Sequence, residues 1–522
     1  MIDHGREAKF LTASKSDMEL YESMLPVDHK LCQIVDAVDF EIFRPVVESG
    51  YSKIGQPTGY AMISYKLEVL KYFYNLSDRA VIERANTDVA FRWFLKLPIR
   101  EMLSDHTLLN RFRGRMGSET YQKLFHQLIA SARSRGIVKD QLRLKDATHI
   151  IANISIPSTI ALVSQVRERL LHLLDRFDGE AAAGYRVAVE TMRDQTKESG
   201  DALRLNQRIE LLDTIVSDLG KRIEEDTIPK ENLAKIRECV DLATKILSQK
   251  KSEKTTREIR SLADPEAMRG EHGAFYDGYV MDVMLDADSE LITAIDVLQA
   301  GGDEAQGAIA LLDQERSAHG NAPKELSIDG AGHNGEMIRK LEGNDENGVT
   351  VFVPPKSARS DVQIAADQFE VVQTEERGQQ VRCPEGKTSQ YSQRDGDGTT
   401  YRFTNATCKG CPLVQQCCKK IGTSPFGRSV RKNDYQEEYD RVRSRSQTAR
   451  FDEVRRLHPS IERKINECAN HNGGRHARYR GREKVRQQIF GVGLAVNLKR
   501  LAKIIRGQRA QKAAPTPTMA CC

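Results

Sequence analysis

ELSIDGAG, at residues 325–332, admits few local structures. Glu325 to Ile328 read as a short apolar strand, and Asp329 ends it. Gly330, Ala331 and Gly332 follow at once, so the chain can turn sharply and leave the carboxylate exposed at the strand's C-terminal edge. Open α/β sheets place their ligands along that edge. An aspartate there can equally cap the next helix, which His333 to Leu341 are predicted to form. LRLKDATHI shows a related pattern earlier in the chain. Leu142, Leu144 and Asp146 alternate onto one face of a strand, with Arg143 and Lys145 on the other. An acid on an apolar strand face is costly unless it is paired or binds a metal.

Around these strands the periodicity changes several times. Residues 1–40 show little pattern. From Tyr65 to Gly117 the chain reads as short helices joined by short turns, with Ser77 and Ser104 placed as N-caps. The last of them offers Arg111, Arg113 and Arg115 beside Asn110. That pattern fits a helix-turn-helix entering DNA, and it fits a plain helical bundle with a basic face. Between Val163 and Lys251, Ile209, Leu212, Val216, Leu219 and Ile223 follow 3-4 spacing, as do Leu233, Ile236, Val240, Ala243 and Leu247 beyond Pro229. A helical hairpin or coiled-coil insertion is expected, packed within the chain or between two copies. GYVMDVMLD and ELITAIDVL then predict a β-hairpin, Gly307 to Ala318 a helix, and GVTVFVPP a strand stopped by Pro354 and Pro355. From Ser357 to Gly427 the sequence is polar, irregular and cysteine-bearing. Helices over YQEEYDRVRSR, PSIERKINECA and GREKVRQQIFGVGLAVNLKRLAKII close the chain, before a disordered tail.

Composition limits the function classes. The 522 residues suffice for about three or four domains. No stretch approaches the ~18 consecutive apolar residues of a membrane span, and MIDHGREAKF lacks the order of a signal peptide, so a cytoplasmic protein with reduced thiols is expected. The net charge of +5 hides an asymmetry. Lys419 to Lys512 hold 25 basic and nine acidic residues, a net +16, leaving −11 to everything before them. Such a segment suits a polyanion, whose condensed counterions it displaces; a solvated surface is the plainer alternative. Within it, GGRHARYRGREK sets Arg475, Arg478, Arg480, Arg482 and Lys484 around His476 and Tyr479, a pattern suited to phosphate contacts or to a salt-bridged surface. Glu462, in the first turn of the helix opened by Pro459, is the candidate for a third acid beside Asp146 and Asp329, although the helix dipole alone favours an acid there. Cys383, Cys408, Cys411 and Cys417 have the spacing C-x24-C-x2-C-x5-C, with Cys418 an alternative to Cys417. Four thiolates can form a closed, structural zinc site; buried thiols without metal are the other reading.

Taken together, KDATHI, the hairpin opened by GYVMDVMLD, SIDGAGHNGEMIRKLE and IERKIN…GGRHARYRGREKVRQQ…AVNLKRL resemble the DDE transposases of bacterial insertion sequences. LEVLKYFYNLSDRAVIERANTDVAFRWFLKLPIREMLSDHTLLNRFRGRMG resembles their helical N-terminal domain. The resemblance covers roughly residues 40–155 and 260–505. It implies an α/β RNase H-like catalytic core, a mixed sheet flanked by helices, with an all-α N-terminal DNA-binding domain, a helical insertion and a small Cys-rich insertion. The expected boundaries are 1–135 for the N-terminal domain, 136–156 with 262–356 for the first part of the core, and 157–261 for the helical insertion. The Cys-rich insertion would follow at 357–427, the C-terminal catalytic helices at 428–510 and the tail at 511–522. The resemblance assigns Asp146, Asp329 and Glu462 as catalytic residues holding two Mg²⁺ (or Mn²⁺) ions. It implies hydrolysis and strand transfer at the ends of the element, with double-stranded DNA (terminal inverted repeats and target) as partner, a homodimer assembled on that DNA, and a nucleoid-associated protein. Many relatives carry a Tyr and an Arg ahead of the glutamate and a Lys about two turns after it; here His458 stands four residues before Glu462 and Ala469 seven after. A non-catalytic DNA-binding descendant and a metal-dependent nuclease without strand transfer are the rival readings.

Overall fold

The structure, a computed structural model, describes residues 12–513 apart from 52–59, 104–105, 252–257, 303, 322, 344–347, 357–362, 375–377 and 419–424. Two compact units emerge. The larger comprises Met1–Lys139, Lys145–Gly320 and Ser460–Cys522; the smaller comprises Asp140–Leu144 and Asn321–Pro459.

The larger unit begins with helices α1 (Lys15–Met24), α2 (Lys30–Ala37), α3 (Arg44–Ser49), α4 (Ala61–Phe73), α5 (Asp78–Thr87), α6 (Val89–Leu95) and α7 (Thr107–Ser134). Residues 12–40 are thus more regular than their pattern suggests. Ser14 and Asp17 form a capping box that starts α1, yet Tyr21 is the one buried residue of that helix, so it shows no apolar period. Ser77 caps α5 by accepting from the Ala80 N–H; the other expected cap, Ser104, lies outside the described residues. Every residue of α4 is buried, Lys66, Glu68 and Lys71 included. α7 bends at Gly117, where φ is 65°, a conformation glycine adopts without strain.

Strand β1 (Leu142–Ile151) enters the larger unit at Lys145. Helices α8 (Thr159–Leu174), α9 (Gly179–Gln195), α10 (Asp201–Glu224) and α11 (Lys230–Lys251) follow. They enclose one apolar core containing Leu162, Val166, Leu170, Leu212, Ile215, Leu219, Ile236, Ala243 and Ile246. The 3-4 runs are therefore satisfied within the chain. Strands β2 (Met268–His272), β3 (Ala274–Asp286) and β4 (Ile292–Gln299) come next, β3 being antiparallel to both of the others. β3 also lies beside β1, and the Ala152 N–H donates to the Asp277 carbonyl at 2.9 Å. Helix α12 (Glu304–His319) completes this stretch.

In the smaller unit, Leu142–Leu144 of β1 run parallel to β5 (Glu325–Ser327), and β5 runs parallel to β6 (Thr350–Phe352). Helix α13 (Gly335–Glu342) joins β5 to β6. The segment expected to be irregular is instead built of strands. β7 (Glu370–Thr374) pairs with β8 (Gly378–Arg382), while β10 (Gly398–Thr404) lies between β9 (Tyr391–Asp395) and β11 (Phe426–Asn433), all antiparallel. Their small core includes Phe369, Val381, Tyr401, Phe403 and Val430. β9 is exposed at every residue, so it carries no alternation for a sequence reading to find. Helices α14 (Gln436–Arg445) and α15 (Ala449–Leu457) follow, then α16 (Pro459–Asn466), which continues into the larger unit from Ser460. α17 (Arg482–Ala513) ends the described chain, so residues 511–513 of the expected tail are helical and the rest lies outside the described residues. Among the described residues no helix is long and apolar enough to cross a membrane.

Candidate active site

β1 is buried on both faces through its first four residues, Arg143 and Lys145 included, so the face expected to be basic is not a solvated one. Lys145 pairs with Asp282 of β3 at 2.9 Å, both side chains out of water. A buried pair adds little net stability, but its loss would leave an uncompensated charge. Because neighbouring strand residues point to opposite faces, anchoring Lys145 directs Asp146 to the other side. Asp146 is half-buried, and its Oδ1 accepts from the Ala147 N–H at 2.7 Å.

Glu462 lies in the first turn of α16 and is exposed. Of its basic neighbours, Arg463 faces Glu290 at 3.5 Å and the buried Lys464 pairs with Glu467 at 2.9 Å. Both cations are thus engaged by other carboxylates, and Glu462 makes no hydrogen bond or ion pair among the described residues.

Asp329, in the smaller unit, sits just beyond β5. Its Oδ1 accepts from the Ala331 N–H at 3.1 Å, capping the short turn Gly330–Gly332, whereas the helix it could have capped, α13, is capped by Asn334 through the Met337 N–H. Helix α15 and the residue after it brace the strand end. Arg455 Nη1 donates to the Ile328 carbonyl at 3.0 Å, and His458 Nδ1 lies 3.0 Å from Ser327 Oγ. Burial, helped by the Arg455 charge and opposed by Asp329, brings the His458 pKa down to about 4, so the ring is neutral at pH 7. Neither residue was singled out as a brace. Their spacing of three on a helix just ahead of Glu462 was the available clue.

The eight basic residues expected at DNA divide sharply. Arg113 is a correction, being buried between Glu68 and Asp78 with its guanidinium 4.9 Å from the Tyr479 ring centroid. Burial alone would depress its pKa, but Glu68 and Asp78 outweigh it and hold the pKa raised. Lys71, equally buried, reaches Asp78 at 2.7 Å and the Tyr479 hydroxyl. Two further arginines turn inward to backbone. Arg475 donates to the His149 carbonyl at 2.9 Å and Thr148 Oγ1 at 3.0 Å, and Arg478 donates to the Leu76 carbonyl. Arg111, Arg115, Arg480, Arg482 and Lys484 remain exposed.

The thiols lie in one neighbourhood. Cys383, Cys408 and Cys417 pack against the small core of the β-module formed by β7 to β11, and Cys408 is within electrostatic reach of Cys411, Cys418 and Cys383. Burial pushes the Cys417 thiol up to about 11, against the pull of Arg428. Among the described residues, however, no three His, Cys, Asp or Glu side chains are drawn together as a metal site requires.

Residues 382–502 match the family described as a transposase DDE domain, and residues 19–115 match a transposase domain, DUF772. The two matches support a DDE transposase of an insertion element. No curated protein matches it. Glu462 and the run from Arg475 to Lys484 fall inside the DDE-domain match, and Arg111, Arg113 and Arg115 inside the other; Asp146 and Asp329 lie outside both.

Proposed function

We propose that the chain cuts DNA at the ends of its own insertion element and joins the freed 3′ ends to target DNA, with Asp146, Asp329 and Glu462 as the metal-holding acids of an RNase H-like core. The observation that carries this reading is a register. Leu144 of β1 stands opposite Ser327 of the parallel β5, and each aspartate lies two residues beyond that pair. Parallel strands offer their C-terminal ends as ligand positions. Hard oxygen donors suit Mg²⁺ or Mn²⁺, and the pairing of Arg463 and Lys464 with other acids supports Glu462 as a third donor. Two such ions would supply activation of the attacking oxygen and charge neutralisation at the leaving oxygen.

The chain's own residues would bind and orient. Arg111, Arg115, Arg480, Arg482 and Lys484 contact phosphates of double-stranded DNA and carry no base information. Arg455 and His458 hold the strand end from which Asp329 projects. Cys383, Cys408, Cys411 and Cys417 hold a structural zinc, a donor set whose chemistry fits although the thiols must close up to form the site. A dimer on the paired element ends completes the assembly.

The test separates chemistry from binding. Asp329→Asn keeps the side chain's size and removes its charge. Cleavage and strand transfer of element-end DNA with Mg²⁺ should fall by orders of magnitude, while DNA affinity persists because phosphate contacts dominate it. Intact cleavage by Asp329→Asn would remove that residue from the site.

A further inference from the structure

Beside α5 the larger unit carries a cleft of about 560 Å³ whose lining includes Lys71, Asn75, Ser77, Arg79, Arg478 and Tyr479. Its wall is specifically constructed. Asn75 takes a left-handed φ of 54°, which asparagine tolerates better than most residues, and its side-chain oxygen accepts from Arg478 Nη2. Gly473, at φ 79°, makes room for that contact. A Cβ there would stand 2.4 Å from Asn75 Oδ1 and 2.6 Å from Arg478 Nη2.

The charge of the cleft is not balanced internally. Of its lining charges, Lys71 pairs with Asp78, and the buried Arg113 and Glu68 complete that network with no net charge. Arg478 is spent on neutral oxygens of Leu76 and Asn75, and Arg79, exposed at the rim, makes no hydrogen bond or ion pair among the described residues. Two positive charges are left over, with exposed His106 beside them. Ser77 caps the ten-residue α5 through the Ala80 N–H, so the positive pole of the helix lies at the same rim. An anion of low charge, reachable from solvent, matches this arrangement.

We propose that the cleft seats one backbone phosphate of bound DNA, clasped by Arg79 and Arg478 at the start of α5. The proposal rests on the transposase reading and adds to it a contact that links the N-terminal helices with the C-terminal arginine run. Arg79 lies within the run LEVLKYFYNLSDRAVIERA, which resembles the helical N-terminal domain of the transposases.

The test uses the full chain and a labelled mixed-sequence duplex, with affinity measured across a salt series. Arg79→Ala should weaken binding and flatten the plot of log affinity against log salt by up to ~0.9, the value of one phosphate. Arg79→Lys should keep the wild-type slope. Because both arginines hold the same phosphate, Arg79→Ala with Arg478→Ala should flatten the slope no further than ~0.9 in total. Arg478→Ala also removes the tie to Asn75 and Leu76, so the Arg79 variants decide if the double variant misfolds. A wild-type slope for Arg79→Ala would overturn the proposal, as would a double variant that loses two phosphates' worth. Wild-type protein that binds no duplex would overturn this proposal and the transposase function together, whereas binding unaffected by Arg79→Ala would overturn the proposal alone.

Discussion

Glu68, Lys71, Asp78 and Arg113 place four interacting charges in the interior of the larger unit, three of them almost fully buried. The β-module of the smaller unit does the opposite. It gathers Ile364, Phe369, Val381, Tyr401, Phe403 and Val430 with partly buried cysteines, and the ion pairs Arg394–Asp434 and Arg431–Asp397 lie on its exposed surface. The first region is costly to assemble but complete, since each charge has its partner built in. The second has a core of six buried residues, too few to hold several short strands firmly without a staple. The two regions should therefore fail in different ways.

The largest effect should come from breaking the charge network. Arg113→Met leaves Glu68 and Asp78 with Lys71 as their one shared cation, an uncompensated negative charge, and should cost about 3 kcal/mol of stability. Denaturant unfolding followed by the fluorescence of Trp93, the one tryptophan in the chain, reads that loss. Arg111→Ala, two residues away and exposed, should move the same curve by less than about 0.5 kcal/mol. Equal effects from the two variants would erase the distinction.

Acid should weaken both units, most strongly through His126 in the larger and His458 in the smaller. Burial holds His126, in α7 of the larger unit, and His458, in the smaller, at pKa values of about 4. Their unfolded forms titrate near the ordinary 6.5, so between pH 6.5 and 4 the unfolded chain binds protons that the folded chain refuses. Stability is then lost as pH falls through that window, by up to ~1.4 kcal/mol per pH unit for each histidine. Comparing unfolding at pH 7 and pH 5 in wild type, His126→Gln and His458→Gln tests this. Trp93 reports the larger unit, and hydrogen exchange across 321–459 the smaller. A variant that keeps the full wild-type acid response would clear its histidine of the role.

The smallest effect should be local to the thiols. Stripping zinc, or replacing Cys408 by Ser, should speed proteolysis within 364–433 by about tenfold, equivalent to ~1.4 kcal/mol of local opening, and leave cleavage in α4 to α7 unchanged. Metal analysis of the purified chain that finds no zinc would show that the module stands on its apolar core alone.

Much of the architecture is legible in the sequence because it depends on local periods. The 3-4 runs from Ile209 and from Leu233 form α10 and α11, the two apolar segments after Gly278 pair as β3 and β4, and Ser77 caps the helix it precedes. The β-module escaped that reading because exposed strands such as β9 carry no alternation. The candidate site divides the same way. Asp146 stands out as an acid on the apolar face of a strand and Asp329 because it ends one, whereas Arg455 and His458 look like ordinary helix residues until β5 is seen beside them.

The sequence by itself indicated most of the helices and the core strands, where acids and arginines stand along them, and a resemblance to DDE transposases. Only the tertiary structure decided which of those charges meet water. Residues two apart on a helix point about 200° from one another, so Arg111 and Arg113 had to part. Which of them turned inward was set by Glu68, 45 residues earlier, and by Tyr479, from the far end of the chain. A buried charge is tolerable only where such partners wait, and partners that distant become neighbours only through the fold.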